Sequence, residues 1–268
     1  MTCIAVGMIK DECDVVDSFI RHLAGQVDEI LMADNLSTDG TREILDDLAG
    51  TYPLTVVDDP EVGYFQSAKM SALAQVAAER GHDWVMFADC DEMWVAADGR
   101  PIRDWLLGVP PDVPIVEARL YNYLATAEDV SETEAPSPFD RLRWRLAEPA
   151  GLPKVCARTW PGLAVEMGNH GADYGNGRPL RCGGLRINHF PWRSAQQFAK
   201  KVVNGARAYA ATDLPEGVGA HWRMWGDPYA EDLPERAEVH YRTYFWAPNP
   251  PCAPGSTDPA GLVYDPIS

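Results

Sequence analysis

Basic residues are scarce in this chain, and their scarcity narrows the classes of protein to consider. Lys and Arg number 23 against 40 Asp and Glu, which gives 268 residues a formal net charge of −17 and a pI near 4.6. A surface of that sign repels nucleic acids and anionic lipids, so we expect no nucleic-acid partner. A phosphorylated ligand would need a cation or a local basic patch to offset the same repulsion.

Long apolar runs and cysteine motifs are also missing. No stretch reaches the ~18 consecutive apolar residues of a membrane-spanning helix, and residues 1–6 lack the basic and apolar regions of a secretory signal. The six Cys include no Cys-x-x-Cys pair and no zinc-like spacing. We therefore expect no membrane span, reduced thiols and a cytoplasmic location.

Neither Gly-x-Gly-x-x-Gly nor a P-loop occurs, so the two commonest phosphate-binding loops are excluded. The first half nevertheless alternates between strand and helix patterns. Strands are predicted at residues 3–9, 29–33, 54–57 and 84–88, and helices at 14–24, 41–49 and 67–80. This order predicts an α/β fold with a doubly wound, mostly parallel sheet flanked by helices.

The pattern is weaker after residue 100. It predicts a strand at 115–120, a surface loop at 131–140 and a strand at 184–190. A helix is predicted at 194–209, where Ser194-x-x-Gln197 forms a capping box. From about residue 213 the chain is rich in Pro, Gly and aromatic residues.

Three carboxylates end an apolar run in the first half. Residues 84–88 suit a strand buried on both faces, and Asp89, Asp91 and Glu92 follow it. Ligands of open α/β sheets bind beyond the carboxyl ends of the strands, and paired carboxylates are hard ligands for a divalent cation that could hold a diphosphate. The alternative is that Asp89, Cys90 and Asp91 open a loop or cap the next helix.

A second polar segment, residues 34–41, follows the second predicted strand. Ser37 to Thr41 suit a turn and a helix cap whatever the function. Asp34 is not needed for capping, and its carboxylate could accept hydrogen bonds from the N–H of a base or from ribose hydroxyls.

The charge of the chain reverses locally between Tyr174 and Thr212. This window holds seven basic residues and no Asp or Glu. His189 lies in its middle, and its neutral imidazole could ligate the same cation as Asp91, while the basic side chains could meet phosphate oxygens. The alternative is a solvated basic face with a buried, hydrogen-bonded His.

Four ordered stretches resemble the family 2 type glycosyltransferases with a GT-A fold, above all their soluble bacterial branch. A later pattern, His189-Phe190, Ser194, Phe198, Lys201 and Gly205, is also similar to that branch. The chain departs from the family at Ala33, where many relatives have Asp, and at Leu36, where many have Gly. It has no Gln-x-x-Arg-Trp, so a processive membrane synthase is not expected. The four stretches are residues 8–12, 19–22, 34–41 and 84–92.

The resemblance implies a nucleoside diphosphate sugar as donor, most often a UDP-sugar, an acceptor hydroxyl, inversion at the anomeric carbon, and Mn²⁺ or Mg²⁺. The implied metal ligands are Asp89, Asp91 and His189. The implied nucleotide-binding residues are Met8, Lys10, Asp34, Lys69, Asp89 and Cys90. Further possible site residues are His170, Arg193 and Lys201.

The same resemblance implies a catalytic domain at 1–212, with a nucleotide-binding half at 1–95 and an acceptor half at 96–212. Residues 213–268 would form a C-terminal aromatic and Pro-rich extension packed on that domain. Inversion needs a base for the acceptor hydroxyl, and the candidates are Glu166 and Asp173, which flank Gly168 to Gly171. The alternative there is a plain glycine-rich turn.

Three other interpretations remain open. Glu128-Asp129 is a weaker candidate base. A nucleotidyltransferase of similar fold also uses carboxylate-bound Mg²⁺. A sugar-binding module without turnover could use the aromatic residues to stack on sugar rings.

Overall fold

The computed structural model describes residues 1–126, 137–175 and 181–229, together with 239, 241, 246–247 and 262–267. The chain divides into two compact units. The first comprises Met1–Pro60, Gln66–Tyr121 and Pro149–His189. The second comprises Glu61–Phe65, Asn122–Glu148 and Phe190–Ser268. The predicted functional division at residue 212 remains a prediction.

Strands and helices alternate in the first part of the chain, whereas short strands predominate later. Residues 1–126 contain β1 (Cys3–Ile9), α1 (Val16–Gln26), β2 (Glu29–Asp34), α2 (Thr41–Ala49), β3 (Leu54–Asp58), α3 (Gln66–Glu79), β4 (Trp84–Phe87), β5 (Glu92–Ala96), α4 (Ile102–Leu106) and β6 (Ile115–Thr126). The later described residues contain α5 (Pro138–Arg141), β7 (Trp144–Leu146), β8 (Lys154–Arg158), β9 (Ala164–Val165), a 3₁₀ turn (Met167–Asn169), β10 (Ala172–Asp173), β11 (Arg181–His189), α6 (Ala195–Ala210), α7 (Ala220–Tyr229), β12 (Trp246–Ala247) and β13 (Leu262–Tyr264).

The first unit is built on a sheet with the strand order β6-β8-β4-β1-β2-β3. The strands β4, β1, β2 and β3 run parallel to one another, whereas β8 is antiparallel to β4 and β6 is antiparallel to β8. Helix α3 packs against β1 and β4, and α1 packs against α2 and β2. The predicted α/β fold with a mostly parallel sheet flanked by helices is confirmed.

The central strands β1 and β4 of the sheet are apolar and are buried on both faces. All four residues of β4 are buried, as are six of the seven residues of β1. Helix α3 turns Met70, Leu73, Ala74 and Ala77 toward this sheet. Burying one large apolar side chain contributes roughly 1.5–3 kcal/mol, so the contact between helix and sheet holds the ends of the strands in fixed positions.

The second unit contains an aromatic core of its own. Phe190 stacks on Tyr123 with ring centroids 4.5 Å apart and lies 4.8 Å from Phe139. The C-terminal strand β13 pairs antiparallel with β7, and Arg145 forms a 2.6 Å ion pair with Asp265 just beyond β13. The end of the chain is therefore part of this unit.

Several predicted elements need correction. The strand β5 was not predicted, yet it begins at Glu92 and pairs antiparallel with β11. The loop predicted at 131–140 is wrong from residue 137 onward, where Ser137 caps α5, and residues 131–136 lie outside the described residues. Ser194 caps α6, but Gln197 Oε1 accepts from the backbone N–H of Arg193 instead of Ser194.

His22 on α1 makes the fold sensitive to acid. Its Nε2 lies 2.8 Å from the carbonyl oxygen of Trp94, to which Nε2–H donates. Burial lowers the pKa of His22 below its usual value, and the Trp94 carbonyl opposes this only in part. A lowered pKa means that the unfolded chain binds the proton more readily, so this stability is complete above about pH 6.5 and is lost as the pH falls toward the folded-state pKa.

We therefore expect the melting temperature of the wild type to fall between about pH 7 and pH 5 partly through His22. The variant His22→Gln keeps an N–H donor for the Trp94 carbonyl but does not titrate. Thermal melts across this range should show a shallower decline for the variant. Curves of equal slope would show that His22 does not contribute.

Candidate functional site

Polar side chains collect where three parallel strands of the first unit end. Lys10 follows β1, Asp34 ends β2, and Asp89 comes two residues after β4. Because β1 pairs in parallel with both β2 and β4, these three ends lie at one edge of the sheet. This is the edge at which open α/β sheets bind ligands.

His189 is brought to this edge by strand pairing. The register of β11 on β5 sets His189 opposite Glu92. The imidazole Nε2 of His189 lies 3.7 Å from Asp91 Oδ2, and one ligand atom each from Asp91, Glu92 and His189 lie within 4.8 Å of one another. The sequence predicted that Asp91 and His189 meet, although it did not predict the strand β5 that brings them together.

These three side chains fit a divalent cation. Carboxylate oxygens suit Mg²⁺ and Mn²⁺, while an imidazole nitrogen is a ligand of softer transition metals. Asp91 is only 5% exposed and His189 is partly exposed, so a bound ion would reach solvent or ligand from the histidine side.

Glu92, the third member of this cluster, is fully buried. Its Oε2 accepts from Trp94 Nε1 at 3.2 Å and from the backbone N–H of Asp89 at 3.3 Å, and its Oε1 lies 3.1 Å from Lys154 Nζ. Burial raises the pKa of Glu92 to about 7, although Lys154 opposes this. An anionic Glu92 is thus maintained mainly by the ammonium beside it.

Both carboxylate oxygens of Asp89 already have partners. Oδ2 forms an ion pair with Lys154 Nζ, and Oδ1 accepts from Asn169 Nδ2 at 3.1 Å. Burial opposes the charge of Lys154, yet Asp89 and Glu92 outweigh it, so the pKa of Lys154 is raised. The predicted role of Asp89 as a metal ligand remains a prediction, since Asp89 is not part of the three-residue cluster.

Asn169 belongs to a tight turn that the structure ties to the sheet edge. Gly168 has φ +75° and Asn169 has φ +57°, a left-handed pair that favours Gly and Asn. The backbone N–H of Gly168 donates to Gln66 Oε1 at 2.8 Å, and His170 Nδ1 lies 2.8 Å from the carbonyl oxygen of Pro153. The buried Oδ1 of Asn169 has no hydrogen-bond partner among the described residues.

The two candidate bases lie on either side of this turn. Glu166 is exposed, and its carboxylate lies against Gly171, where a methyl group would overlap it. Asp173 is also exposed, and its Oδ1 accepts from the backbone N–H of Gly175 at 2.8 Å. The catalytic role of Glu166 or Asp173 remains a prediction. The third candidate, Glu128-Asp129, lies outside the described residues.

Three of the residues predicted to bind the nucleotide, Asp34, Lys10 and Lys69, are linked directly or through one other side chain to the loop after β2. This residue is 6% exposed, and its buried Oδ1 has no hydrogen-bond partner among the described residues. Lys69 forms a 2.6 Å ion pair with Asp59, whose Oδ2 also accepts from Asn35 Nδ2. Lys10 Nζ donates to the carbonyl oxygen of Asn35 at 2.7 Å. Both lysines therefore support the loop beside Asp34.

Leu36 stands where many proteins of the resembled family have glycine, and its backbone has the conformation that glycine favours. Its φ of +57° lies in the left-handed region, and its side chain is 48% exposed. Glycine adopts this conformation without steric cost, whereas leucine does not. The loop therefore keeps the backbone shape that glycine favours, at a cost in strain.

The remaining predicted residues lie in several places. Met8 is partly buried against the core, and Cys90 is buried between Asp89 and Asp91. Arg193 and Lys201 belong to the second unit. There the guanidinium of Arg193 is buried and donates to the carbonyl oxygen of Phe190, and Lys201 Nζ lies 6.0 Å from the ring centroid of Trp192. Their role in the site remains a prediction.

Sequence comparison matches residues 8–129 to the family described as glycosyl transferase family 2. No curated protein matches the sequence. Among the described residues, none of the helices has the length and apolar character needed to cross a membrane.

Three solved structures illustrate distant likenesses in fold. S. aureus TarS 1–349 in complex with UDP is 13% identical in sequence, with a TM-score of 0.43. The match covers 91% of this chain and 74% of the TarS chain. GalNAc-T7 with UDP, GalNAc and Mn²⁺ is 10% identical in sequence, with a TM-score of 0.46. The match covers 91% of this chain and 58% of the GalNAc-T7 chain. A mycobacterial protein is 19% identical in sequence, with a TM-score of 0.38. The match covers 81% of this chain and 76% of the mycobacterial chain. Likenesses this distant carry no residue roles over to this chain.

Proposed function

Because residues 8–129 match the family described as glycosyl transferase family 2, we propose that this chain transfers a sugar from a nucleoside diphosphate sugar to an acceptor hydroxyl, with a divalent cation. A UDP-sugar is the proposed donor, and inversion is the proposed outcome at the anomeric carbon. One observation carries the proposal: Asp91, Glu92 and His189 meet at the ligand-binding edge of a parallel sheet. Asp91 and Glu92 lie within the segment that matches the family, whereas His189 lies outside it.

Asp91 and His189 would hold the cation, with Glu92 behind them. A divalent cation bound there would neutralise charge on the departing diphosphate. In a protein with a net charge of −17, a diphosphate would otherwise meet a repulsive surface. The donor set makes Mn²⁺ the proposed ion.

The residues of the chain itself supply binding and orientation. The unpaired Oδ1 of Asp34 could accept a base N–H, which would satisfy a buried acceptor that otherwise costs free energy. Lys154 and Asn169 fix both oxygens of Asp89, and a carboxylate held in this way can accept ribose hydroxyls through its remaining lone pairs. These contacts would place the sugar beyond the diphosphate.

Glu166 is the proposed base for the acceptor hydroxyl. It lies in the turn that Asn169 ties to Asp89, and it is exposed, so a hydroxyl can reach it. Asp173 remains the second candidate, although its Oδ1 already accepts from Gly175. Geometry relative to a bound sugar must decide between them.

The proposal predicts that a nucleoside diphosphate binds only weakly without a cation. Calorimetry with UDP, GDP and ADP should show at least about tenfold tighter binding of the preferred nucleotide in the presence of Mn²⁺. Product analysis after incubation with the matching nucleotide sugar should show release of the nucleoside diphosphate.

Other products would point to the alternatives. Release of pyrophosphate from a nucleoside triphosphate would identify a nucleotidyltransferase. Sugar binding without any nucleotide affinity would identify a binding module. Nucleotide binding that is unaffected by Mn²⁺ and by EDTA would contradict the proposed cation site.

A further inference from the structure

Three residues other than glycine have a left-handed backbone within the part of the chain that the structure describes. They are Asp11, Leu36 and Asn169, with φ of 56°, 57° and 57°. Asp11 follows β1, Leu36 follows β2, and Asn169 donates to Asp89 beyond the end of β4. All three therefore lie at the edge of the sheet where ligands bind. Strained backbone of this kind is concentrated at ligand sites.

Two of these residues have a local reason for the left-handed conformation, whereas Leu36 does not. Asp and Asn adopt it more readily because their short polar side chains can bond to nearby groups. Asp11 Oδ1 accepts from the backbone N–H of Thr38 at 2.8 Å, and Asn169 Nδ2 donates to Asp89. The side chain of a leucine can form no such bond, and the conformation brings its Cβ too close to the following carbonyl oxygen.

Packing within the protein does not explain the leucine either. Leu36 is 48% exposed, so burial offsets little of the strain. The loop is held by other groups: Lys10 Nζ donates to the carbonyl oxygens of Asn35 and Leu36 at 2.7 and 3.3 Å. The backbone N–H of Asp11 donates to Ser37 Oγ at 3.0 Å. These bonds fix a backbone shape that glycine would adopt without strain.

Leu36 follows closely on a buried hydrogen-bond acceptor. Asp34 ends β2 two residues earlier, and its buried Oδ1 has no hydrogen-bond partner among the described residues. A nucleoside base is a flat, largely apolar ring with N–H groups at its edge. Ligand pockets combine apolar side chains with a few polar groups that fix orientation, and Leu36 with Asp34 supplies one of each.

We propose that the side chain of Leu36 packs against the base of the nucleoside diphosphate, and that this contact accounts for a leucine in a left-handed position. The inference rests on the proposed function and adds to it a residue that determines affinity for the base. When the nucleotide binds, the exposed part of Leu36 leaves water, which favours the complex. Removal of this side chain therefore weakens binding but relieves strain in the fold.

The experiment compares the wild type with Leu36→Gly, Leu36→Asn and Leu36→Met in the full chain. The first two variants suit a left-handed backbone but lack the apolar side chain, whereas Leu36→Met keeps an apolar side chain of similar size. Calorimetry with UDP, GDP, CDP and ADP in the presence of Mn²⁺ identifies the nucleotide that the wild type binds best. That nucleotide should bind on the order of tenfold more weakly to Leu36→Gly and Leu36→Asn. Leu36→Met should stay within about twofold of the wild type.

Melting temperatures of the ligand-free proteins separate a base contact from a structural role. Leu36→Asn relieves the strain, so its melting temperature should equal or exceed that of the wild type. Leu36→Gly should stay close to the wild type, because glycine also makes the unfolded chain more flexible. A leucine that only supported the fold would lose melting temperature and nucleotide affinity together.

The control is Leu107→Asn, because Leu107 follows α4 with an ordinary helical backbone and is 58% exposed. Arg103 of α4 donates to the carbonyl oxygen of Val27 just before β2, so this leucine belongs to the opposite edge of the sheet. The control should leave nucleotide affinity unchanged.

Weaker nucleotide binding by Leu36→Asn and Leu36→Gly, with no loss of melting temperature in Leu36→Asn and with affinity retained in Leu36→Met, supports the proposal. Wild-type affinity in Leu36→Asn and Leu36→Gly overturns it while the proposed function stands. Equally weak binding by Leu36→Met, or a parallel fall in melting temperature and affinity, overturns it as well. If the wild type binds none of the four nucleotides, the proposed function fails and the inference fails with it.

Discussion

Replacing Asp91 with Asn is expected to weaken Mn²⁺ binding by about 100-fold or more, a larger loss than outer-shell ligand partners usually cause. Asn has the shape of Asp but lacks its charge, and Asp91 Oδ2 lies 3.7 Å from His189 Nε2 within the cluster. Calorimetry with Mn²⁺ should show the loss directly. The affinity for UDP in the presence of Mn²⁺ should then fall to the value measured in EDTA.

Asp98→Asn is the matched control, because Asp98 lies just beyond β5 and is paired with Arg100 with 44% of its side chain exposed. It should leave Mn²⁺ and UDP binding unchanged. A thermal melt of the metal-free protein should show that Asp91→Asn remains folded, so that the loss of binding can be assigned to the site. If Asp91→Asn still showed an Mn²⁺-dependent gain in UDP affinity, the cation site would have to lie elsewhere.

The second large effect is expected at Gly7, where β1 passes close to the end of β4. A methyl group at Gly7 would overlap the carbonyl oxygen of Ala88 and would lie 3.0 Å from Met32 Sδ. Backbone cannot move aside as a flexible side chain can, so Gly7→Ala should lower the free energy of unfolding by about 1–3 kcal/mol. Since Ala88 precedes Asp89, the same displacement should reduce UDP affinity.

Denaturant unfolding measures the first effect and calorimetry the second. Gly25→Ala is the control, because Gly25 lies in α1 and a methyl group there meets no atom within 4 Å. That change should be neutral or stabilise the protein by up to about 1 kcal/mol, since alanine favours a helix. Equal stability of the Gly7→Ala variant and the wild type would mean that β1 and β4 can separate without cost.

Much of the first half could be predicted from the sequence because its signals are local. The apolar runs of β1 and β4 and the apolar face of α1 depend only on residues that are close in the chain. The carboxyl ends of parallel strands must share an edge, so Asp34 and Asp89 could be placed together from strand order alone. The charge pattern left His189 open between a metal ligand and a buried core histidine, and only the family resemblance set it beside Asp91.

The rest of the site depends on contacts between distant segments. Nothing near Lys154 in the sequence marks it as buried, because its place follows from antiparallel pairing of β8 with β4 and β6. Asn169 is important through its left-handed backbone and one hydrogen bond to Asp89, and neither is encoded by a pattern of hydrophobicity. The strand β5 was absent from the predicted elements, and only its pairing with β11 shows Glu92 to be the buried start of a strand.

The pairing of β5 with β11 also restricts how this protein can vary in length. Successive side chains of a strand point to opposite faces, so a slip of one residue would replace His189 opposite Glu92 with Asn188 or Phe190. Insertions and deletions among related proteins should therefore fall outside β5 and β11. Alignments that open a gap within either strand would misassign the histidine.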